Sequence, residues 1–354
     1  MKFCKSLLRF SVILPERILF QKVLKINPDT NIEGLLDILV SKFELPKKNP
    51  YVKLITLQKN RTTIVDDYWS KHTVLLQDFR SAFFSKRNLV WRFKWYPRFR
   101  ELMELYGDHK GETVLDFGCG PGNDTVGFGL YSNAKKIIGV DISLKALRYA
   151  QRRIQIHSEI DPKRVVLMQS SDKNPKIPLP SNTIDYIYSE GVIHHVSDPI
   201  SVLKELKRIL KPGGHANIMI YNYQSIFLHL FIAYGQIIVK KNHKGMDIHQ
   251  IFNKITDGED CPISKCFKPS DFNAIVKEAG FDRCEYVGGY LSKVEMDCLK
   301  NYLEDALKSR KLGREHKEFL RSLVYDQDHL PMHDGKYAGI GGVYRLYKIQ
   351  KNLK

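Results

Sequence analysis

The segment that most constrains the fold is Val114–Gly122, VLDFGCGPG, where a short apolar run passes into a glycine-rich turn. Gly118, Gly120 and Gly122 lack a Cβ, so the backbone can turn tightly there and approach a bound ligand closely. The following residues are predicted to begin a helix, whose first N–H groups are polarised and free to bind a ligand. The segment therefore predicts a strand, a ligand-binding loop and a helix in succession.

The residues after this segment alternate between short apolar runs and helical patterns. Five runs are predicted strands: TVLDF (113–117), KIIGVD (136–141), RVVLMQ (164–169), TIDYIYS (183–189) and HANIMIYN (215–222). Such runs are typical of strands that are buried on both faces of a parallel sheet. Because helices separate them, the sequence predicts an α/β fold with a doubly wound, mostly parallel sheet.

The chain of 354 residues is predicted to form an N-terminal extension and one large domain with helical insertions. The predicted bounds are 1–109 for the helical, basic and aromatic extension, 110–354 for the domain, and about 223–268 and 291–340 for its insertions. We expect residues 1–60 to be mostly helical. Residues 61–110 are predicted to form either a helical cap packed on the domain or a lid whose aromatic side chains line a substrate pocket.

Two acidic residues indicate the kind of ligand that the loop binds. Asp141 ends the second predicted strand, where a carboxylate can accept hydrogen bonds from ribose hydroxyls. The spacing G-x-G-x-G differs from the nicotinamide fingerprint, since Asn123 stands where that fingerprint has its third glycine. Asp116 would repel a pyrophosphate, whereas it would attract the ammonium group of a methionine moiety. The pattern therefore argues against a nicotinamide dinucleotide.

Four segments within residues 110–222 together resemble the class I S-adenosylmethionine-dependent methyltransferases. They are VLDFGCGPG, IIGVD, IPLPSNTIDYIYSEGVIHHV and LKELKRILKPGGH. The resemblance is greatest to the branch that contains quinone-biosynthesis and small-molecule enzymes, and it continues more weakly over residues 268–290. It implies a Rossmann-like fold with a seven-stranded sheet, and S-adenosylmethionine as the cofactor.

The resemblance also implies contacts between particular residues and the cofactor. They are Asp116 for the methionine amino group, Gly118, Gly120 and Gly122 for close approach of the backbone, Asp141 for the ribose, Ile142 as a further cofactor contact, Asp172 for the adenine amino group, and Glu190 and Gly191 for the methionine and the transferred methyl. From the residues alone, Asp172 also fits a solvated turn. The acidic residues in 258–272 form no convincing ligand set, so no metal is expected.

The candidate catalytic residues, His194 and His195, follow the fourth predicted strand at the edge where open α/β sheets bind ligands. In related small-molecule enzymes, a histidine at the His195 position is a proposed base. A base is needed only when the methylated group must lose a proton, as a hydroxyl does. His195 as base, His194 as base, and purely structural histidines all remain open. Tyr221, Asn222 and Tyr223 are predicted either to bind the substrate or to anchor a loop.

The resemblance implies an enzyme that methylates a small-molecule or lipid-like acceptor, with a hydroxyl as the candidate group and His195 as its base. The alternatives are an RNA methyltransferase and a protein that binds S-adenosylmethionine without turnover. The net charge of +17 fits either a solvated basic surface or an anionic partner. However, no recognised RNA-binding module is present, and nucleic acid is therefore the less favoured partner.

The remaining features concern the environment of the chain. Six cysteines without a C-x-x-C pair favour free thiols in a reducing cytoplasm. The longest uncharged stretch, Ser225–Val239, is shorter than the about 20 apolar residues that a membrane-spanning helix needs. We therefore predict no transmembrane segment, and peripheral membrane contact stays open.

Overall fold

The computed structural model describes residues 52–56, 63–74, 77, 79–241, 243 and 245–350. Its strands are β1 (Lys53–Ile55), β2 (Thr113–Phe117), β3 (Lys136–Asp141), β4 (Val165–Gln169), β5 (Ile184–Glu190), β6 (Leu210–Asn222), β7 (Cys266–Phe267), β8 (Arg283–Tyr290), β9 (Val324–Tyr325), β10 (Pro331–His333), β11 (Lys336–Tyr337) and β12 (Gly341–Tyr347). Its α-helices are α1 (Ile64–Lys71), α2 (Ala82–Trp95), α3 (Phe99–Leu102), α4 (Asn123–Tyr131), α5 (Leu144–Gln155), α6 (Pro199–Ile209), α7 (Ile248–Thr256), α8 (Pro269–Glu278), α9 (Lys293–Lys308) and α10 (Arg314–Arg321). A π-helix spans Phe227–Val239, and short 3-10 helices span Pro162–Arg164 and Ile193–His195.

Within the described ranges, the central sheet contains nine strands in the order β1-β4-β3-β2-β5-β6-β12-β8, with β7 paired to the end of β6. The pairs from β1 to β6 are parallel, whereas β12 runs antiparallel to both β6 and β8. Side chains alternate between the two faces of a strand, so Val114 and Leu115 enter different hydrophobic cores. Helix α6 covers one core and α5 covers the other. The doubly wound, mostly parallel fold that the sequence predicts is confirmed.

The expectation of a seven-stranded sheet is wrong, because the part of the chain that the structure describes already contributes nine strands. One addition is β1, which comes from a segment expected to be mostly helical and pairs in parallel with β4. This pairing supplies hydrogen-bond partners for backbone N–H and C=O groups of β4 that would otherwise be unpaired at the edge of the sheet. Another is β7, which adds two residues beside the carboxyl end of β6. Apart from residues 52–56, the segment 1–60 lies outside the described residues.

The aromatic and basic segment 61–110 contains α1, α2 and α3. Helix α1 begins after Thr63, whose side chain caps it in a capping box. Phe99 of α3 packs edge-on against Tyr290 of β8, with ring centroids 4.9 Å apart. By contrast, Phe83 of α2 is 65% exposed. The aromatic side chains of this segment therefore divide between the core and the surface.

Both predicted insertions contain helices, and they pack against each other. Residues 223–268 contain the π-helix, α7 and β7, whereas residues 291–340 contain α9, α10 and a small sheet of β9, β10 and β11. The π-helix, α9 and α10 share one apolar cluster. Glu295 of α9 accepts a hydrogen bond of 3.0 Å from the N–H of Phe227, which fixes the start of the π-helix. Among the residues described, each helix is too short or too polar to cross a bilayer.

Candidate cofactor and acceptor site

The glycine loop joins β2 to α4 at the carboxyl edge of the sheet. Gly118 has a φ of 79°, and a Cβ there would lie 2.0 Å from Cγ2 of Val192, so a glycine is required. Gly120 has a φ of 52°, and apart from its two chain neighbours no described residue has an atom within 4 Å of where its Cβ would be. Gly122, with a φ of 82°, leads into α4. The loop therefore packs on the turn after β5 through Gly118 and is open to a ligand at Gly120.

Asp141 ends β3 and fastens the glycine loop. Its carboxylate accepts hydrogen bonds from the N–H groups of Gly120 and Ser143, each at 2.8 Å. Burial raises the pKa of Asp141 to about 6, although the backbone N–H donors oppose this shift. The carbonyl oxygen of Ile142 accepts a hydrogen bond of 3.2 Å from the Gln169 side chain. Asp141 and Ile142 thus lie beside the loop. The contact of Asp141 with a ribose and that of Ile142 with the cofactor stay predictions.

Asp116 lies on β2 beneath the loop, and its side chain is buried. The Thr125 hydroxyl of α4 donates a hydrogen bond of 2.6 Å to its carboxylate. Burial, together with the nearby Asp124, raises the pKa of Asp116. A cationic amino group at this position would reduce the cost of the buried negative charge. The geometry is therefore compatible with the methionine contact, which stays a prediction.

A buried ionic network lies next to the loop, and no sequence motif signals it. Arg92 of α2 is 3% exposed, and its Nη1 lies 3.0 Å from both carboxylate oxygens of Asp124. Its Nη2 pairs with Glu190 at the end of β5. Burial opposes the guanidinium charge, but the two carboxylates outweigh it and raise the pKa of Arg92. Because Arg92 lies 32 residues before Asp124 in a segment without a motif, only the fold reveals the pair.

Glu190, which the resemblance places near the methionine, is held from several sides. In addition to Arg92, the Tyr290 hydroxyl donates to it at 3.0 Å and the Tyr188 hydroxyl at 3.2 Å. Burial raises the pKa of Glu190, and Arg92 opposes that shift. Gly191 follows and begins the turn that reaches the candidate histidines. The contacts of Glu190 and Gly191 with the cofactor stay predictions.

Asp172 lies in the loop after β4, and its carboxylate already has protein partners. It accepts hydrogen bonds from the N–H of Ser197, at 2.9 Å, and from the hydroxyl of the same residue. The N–H of Asp172 donates to Asp66 of α1 at 3.0 Å, and Asp66 also accepts from the Ser171 hydroxyl at 2.9 Å. Helix α1 is thereby attached to the loop in which the adenine contact is predicted. The adenine contact of Asp172 itself stays a prediction.

His195 lies in a buried pocket formed by distant parts of the chain. Its Nδ1 donates a hydrogen bond of 2.8 Å to the carbonyl oxygen of Ile263. Its Nε2 is 3.5 Å from Oδ1 of Asp257, and its ring centroid is 4.6 Å from that of Trp69. Burial lowers the pKa of His195, whereas Asp257 and the bond to Ile263 raise it. The structure therefore adds Asp257 and Trp69 to the candidate site.

His194 has the surroundings of a packed side chain. It is fully buried, and neither ring nitrogen has a hydrogen-bond partner among the described residues. Its ring centroid lies 3.9 Å from that of Tyr221. Burial lowers the pKa of His194 well below its usual value, so the ring is neutral. These contacts favour the structural alternative for His194 over a role as base.

Tyr221, Asn222 and Tyr223, at the end of the fifth predicted strand, contact different partners. The Tyr221 hydroxyl donates to Asp257 at 2.9 Å, which joins it to the pocket of His195. The Asn222 amide donates to carbonyl oxygens at 2.7 and 3.0 Å in the adjoining loops, as expected of a loop anchor. The Tyr223 hydroxyl donates to Glu315 of α10 at 2.7 Å. Of these three predicted substrate contacts, Tyr221 is the one linked to the pocket.

A group of possible metal ligands occurs in the same pocket. His195, Asp257 and Cys261 each offer one ligand atom, and these atoms lie within 4.8 Å of one another. The sequence predicts no metal here, because the acidic residues of 258–272 form no ligand set by themselves and His195 is distant along the chain. Only the fold brings His195 to this loop.

Comparisons with known proteins identify the class. Residues 115–218 match the family model for a methyltransferase domain. An uncharacterized methyltransferase of Schizosaccharomyces pombe is 36% identical over 107 residues, which cover 30% of this chain and 38% of that protein. A demethylmenaquinone methyltransferase of Bacillus licheniformis is 32% identical over 133 residues, which cover 37% of this chain and 54% of that protein. This chain therefore aligns with roughly half or less of the length of these relatives.

A solved structure of an S-adenosylmethionine-dependent methyltransferase from Aquifex aeolicus aligns with 56% of this chain and 86% of its own, at 22% identity and a TM-score of 0.37. The family match, together with the loop and sheet described above, shows that this chain contains a class I S-adenosylmethionine-dependent methyltransferase domain. The resemblance inferred from the sequence is confirmed. S-adenosylmethionine is the methyl donor of this class, so the cofactor prediction is confirmed as well.

Proposed function

We propose that this chain transfers a methyl group from S-adenosylmethionine to a hydroxyl of a small-molecule or lipid-like acceptor, with His195 as the base. One observation carries the proposal. Val192 lies against the position of Gly118, three residues before His195. The turn that bears the candidate base is therefore packed directly on the cofactor loop. A proton acceptor is thus close to the edge at which the methyl group would be presented.

The residues around the loop suit the parts of the cofactor in turn. Asp141 would bind the ribose, with Ile142 as a further cofactor contact, and Gly120 leaves room for the backbone to approach the ligand. Asp116 would attract the methionine ammonium group, and Glu190 would border the methionine. The sulfonium supplies a methyl group that is already activated, so the protein mainly aligns the reactants and excludes water.

The charge state of His195 supports its role as base. Because burial lowers its pKa, the ring is neutral near pH 7 and able to accept a proton. The Nδ1 proton is engaged by Ile263, which leaves Nε2 as the accepting atom. The hydroxyl of the acceptor would lose its proton to Nε2 as its oxygen takes the methyl group.

The burial of His195 beneath helix α1 favours a small acceptor. His195 is 5% exposed, and Trp69 of α1 lies against its ring. Tyr68 of the same helix donates a hydrogen bond of 2.6 Å to the carbonyl oxygen of Asp257. A large rigid substrate such as paired RNA would have to displace this helix, whereas a small or narrow lipid-like molecule would need less movement.

The test is a search for the acceptor with the full-length protein. The chain is incubated with methyl-labelled S-adenosylmethionine and fractionated metabolite or lipid extracts, and labelled products are identified by mass. Release of S-adenosylhomocysteine together with a labelled small molecule is expected. An Asp141→Ala variant, impaired in cofactor binding, is the control. Label in RNA alone, or no release above the level of that variant, would contradict the proposal.

A further inference from the structure

Helix α2 is held in one orientation by the side that packs on the domain. Leu89 and Ser85 are fully buried there, and the Ser85 hydroxyl accepts a hydrogen bond of 2.8 Å from Nε of Arg153 in α5. Arg92, on the same side, pairs with Asp124 of α4. Rotation of the helix about its axis would break these contacts. The packing therefore fixes which side chains of α2 face outward.

The outward side of α2 combines apolar and cationic side chains. Its members are all exposed, and we call them the α2 stripe: Phe83, Arg87, Val90 and Lys94. Intervals of four, three and four residues place them on one face of a helix. Phe83 is 65% exposed and Val90 is 46% exposed. Large apolar side chains thus alternate with cations along an outer surface of the domain.

The surroundings of the α2 stripe are positively charged. Helix α2 contains four basic residues and no acidic one, and the same is true of the adjacent helix α5. Among the described residues, neither Arg87 nor Lys94 forms an ion pair. The charge of this surface is therefore not neutralised within the described part of the chain, and it suits a partner of negative charge.

The apolar members of the stripe decide which anionic partner fits. A nucleic-acid backbone would pair with the cations but leave Phe83 and Val90 in water. A second copy of the chain would bring like charges together. A lipid surface matches both kinds of side chain, because its headgroups can be anionic and the boundary of its acyl chains accepts apolar groups. Lysine and arginine can reach the headgroups from that boundary, since their stems are apolar.

Two tryptophans lie beside the stripe and favour the same partner. Trp91 follows Arg87 by four residues, and Trp95 follows Trp91 by four, so both lie along its edge. Their rings stack on each other with centroids 5.2 Å apart. Tryptophan combines an apolar ring with one N–H donor and is enriched where headgroups meet acyl chains.

We propose that the α2 stripe binds an anionic lipid surface. Its apolar members, Phe83 and Val90, enter the boundary between headgroups and acyl chains, while its cations stay among the headgroups. The attachment is peripheral and reversible, because one helix face buries little apolar area. Binding leaves the contacts of Ser85 and Arg92 with the domain in place. It depends neither on the methyl acceptor nor on His195.

The test measures how the full-length protein partitions between solution and vesicles. Co-sedimentation is compared for vesicles of phosphatidylcholine alone and of equimolar phosphatidylcholine and phosphatidylserine. Binding to the anionic vesicles is expected to be at least about tenfold stronger and to weaken as salt is added. Lipids brominated on their acyl chains are expected to quench the tryptophan fluorescence of the bound protein.

Two double variants separate the apolar contribution from the cationic one. Phe83→Ser/Val90→Ser is expected to weaken binding to the anionic vesicles at least about tenfold, because the burial of two apolar side chains is lost. Arg87→Gln/Lys94→Gln is expected to weaken it by a similar factor and to leave binding to the neutral vesicles unchanged.

Matched controls remove the same kinds of side chain elsewhere. Val324→Ser/Tyr325→Ser takes two exposed apolar side chains from the small sheet of β9, β10 and β11. Lys300→Gln/Lys311→Gln removes two exposed charges on α9 and just after it. Both are expected to bind vesicles as the wild type does. Thermal unfolding of every variant should match the wild type, since the replaced side chains are exposed.

Four results would overturn the inference. One is equal binding to the two kinds of vesicle, or binding to neither. Another is full retention of anionic-vesicle binding by Phe83→Ser/Val90→Ser. A third is affinity for RNA, or self-association, that the stripe variants lose under conditions in which no vesicle is bound. The last is tryptophan fluorescence that brominated lipid leaves unchanged in the vesicle-bound wild type, a measurement that needs no variant.

Discussion

Replacing Arg92 with leucine tests whether the buried ionic network supports the cofactor side of the domain. The change removes the guanidinium and leaves Asp124 and Glu190 without their buried counter-ion. At 3.0 Å, and with an effective dielectric constant of about 20, the attraction between Arg92 and Asp124 is about 5 kcal/mol. The free-energy cost of burying the guanidinium is also removed in the variant, and this offsets part of the lost attraction. We therefore expect the free energy of unfolding to fall by about 3–5 kcal/mol, as when one partner of a buried pair is removed.

The pH dependence of this loss has a definite sign. Burial already raises the pKa of Glu190, and Arg92 opposes that shift, so the variant should raise the pKa further. A carboxyl group whose pKa is higher in the folded state destabilises the protein at high pH and ceases to do so as it binds a proton. The deficit of Arg92→Leu should therefore be larger at pH 8 than at pH 5.5.

The assay is urea denaturation of the wild type and the variant, followed by circular dichroism at both pH values. Arg87→Leu, at an exposed position of the same helix, is the control and should change the free energy by no more than about 0.5 kcal/mol. A deficit in Arg92→Leu below about 1 kcal/mol at pH 8, or one that grows on acidification, would refute the reasoning.

Three further predictions address the cofactor loop and the base. Asp141→Ala should weaken the binding of S-adenosylmethionine by about 1–3 kcal/mol in calorimetry. A carboxyl group with a pKa of about 6 implies that the wild-type affinity rises between pH 5 and 7, and the variant should lack this rise. Equal affinities of the two proteins would remove Asp141 from the site. Gly118→Ala should lower the midpoint of thermal unfolding and the cofactor affinity, because the alanine Cβ would lie 2.0 Å from Val192 at a residue with a positive φ. Gly107→Ala, where a Cβ would have no neighbour within 4 Å, is the control and should be neutral. A fully stable Gly118→Ala variant would contradict the packing described. His195→Ala should lower kcat by about 10²–10⁴-fold with unchanged cofactor affinity. It should also remove the ascending limb of the pH–rate profile, which is expected below the usual histidine pKa of about 6.5. Full activity of the variant at every pH along that limb would exclude His195 as the base.

The parallel core of the fold was accessible from the sequence because its signals are local. A buried parallel strand is a continuous apolar run, and five such runs separated by helical patterns specify the alternation. The number of strands was not accessible. Lys53–Ile55 joins the edge of the sheet only because β4 offers unpaired backbone groups there, and a three-residue strand carries no periodicity.

The residues assigned to the cofactor carry local signals in the sequence, whereas those around His195 do not. Gly118, Gly120 and Asp141 lie in one loop or directly bond to it, so their spacing is visible in the sequence. Arg92 is different, because its partner Asp124 is brought near only by the packing of α2 on the sheet. No period or motif links the two positions.

The acceptor side is assembled from segments that share no local pattern. Trp69 comes from the N-terminal extension, Tyr221 from the end of β6, and Asp257 from the insertion after it, and all three converge around His195. Under the proposed function, the loop binds the cofactor and these added segments bind the acceptor, so the two can vary independently. Changes in α1 or in the loop after α7 should therefore alter which molecule is methylated while the affinity for S-adenosylmethionine is retained. The same division explains why the motifs of residues 115–218 specify the methyl donor but leave the acceptor unspecified.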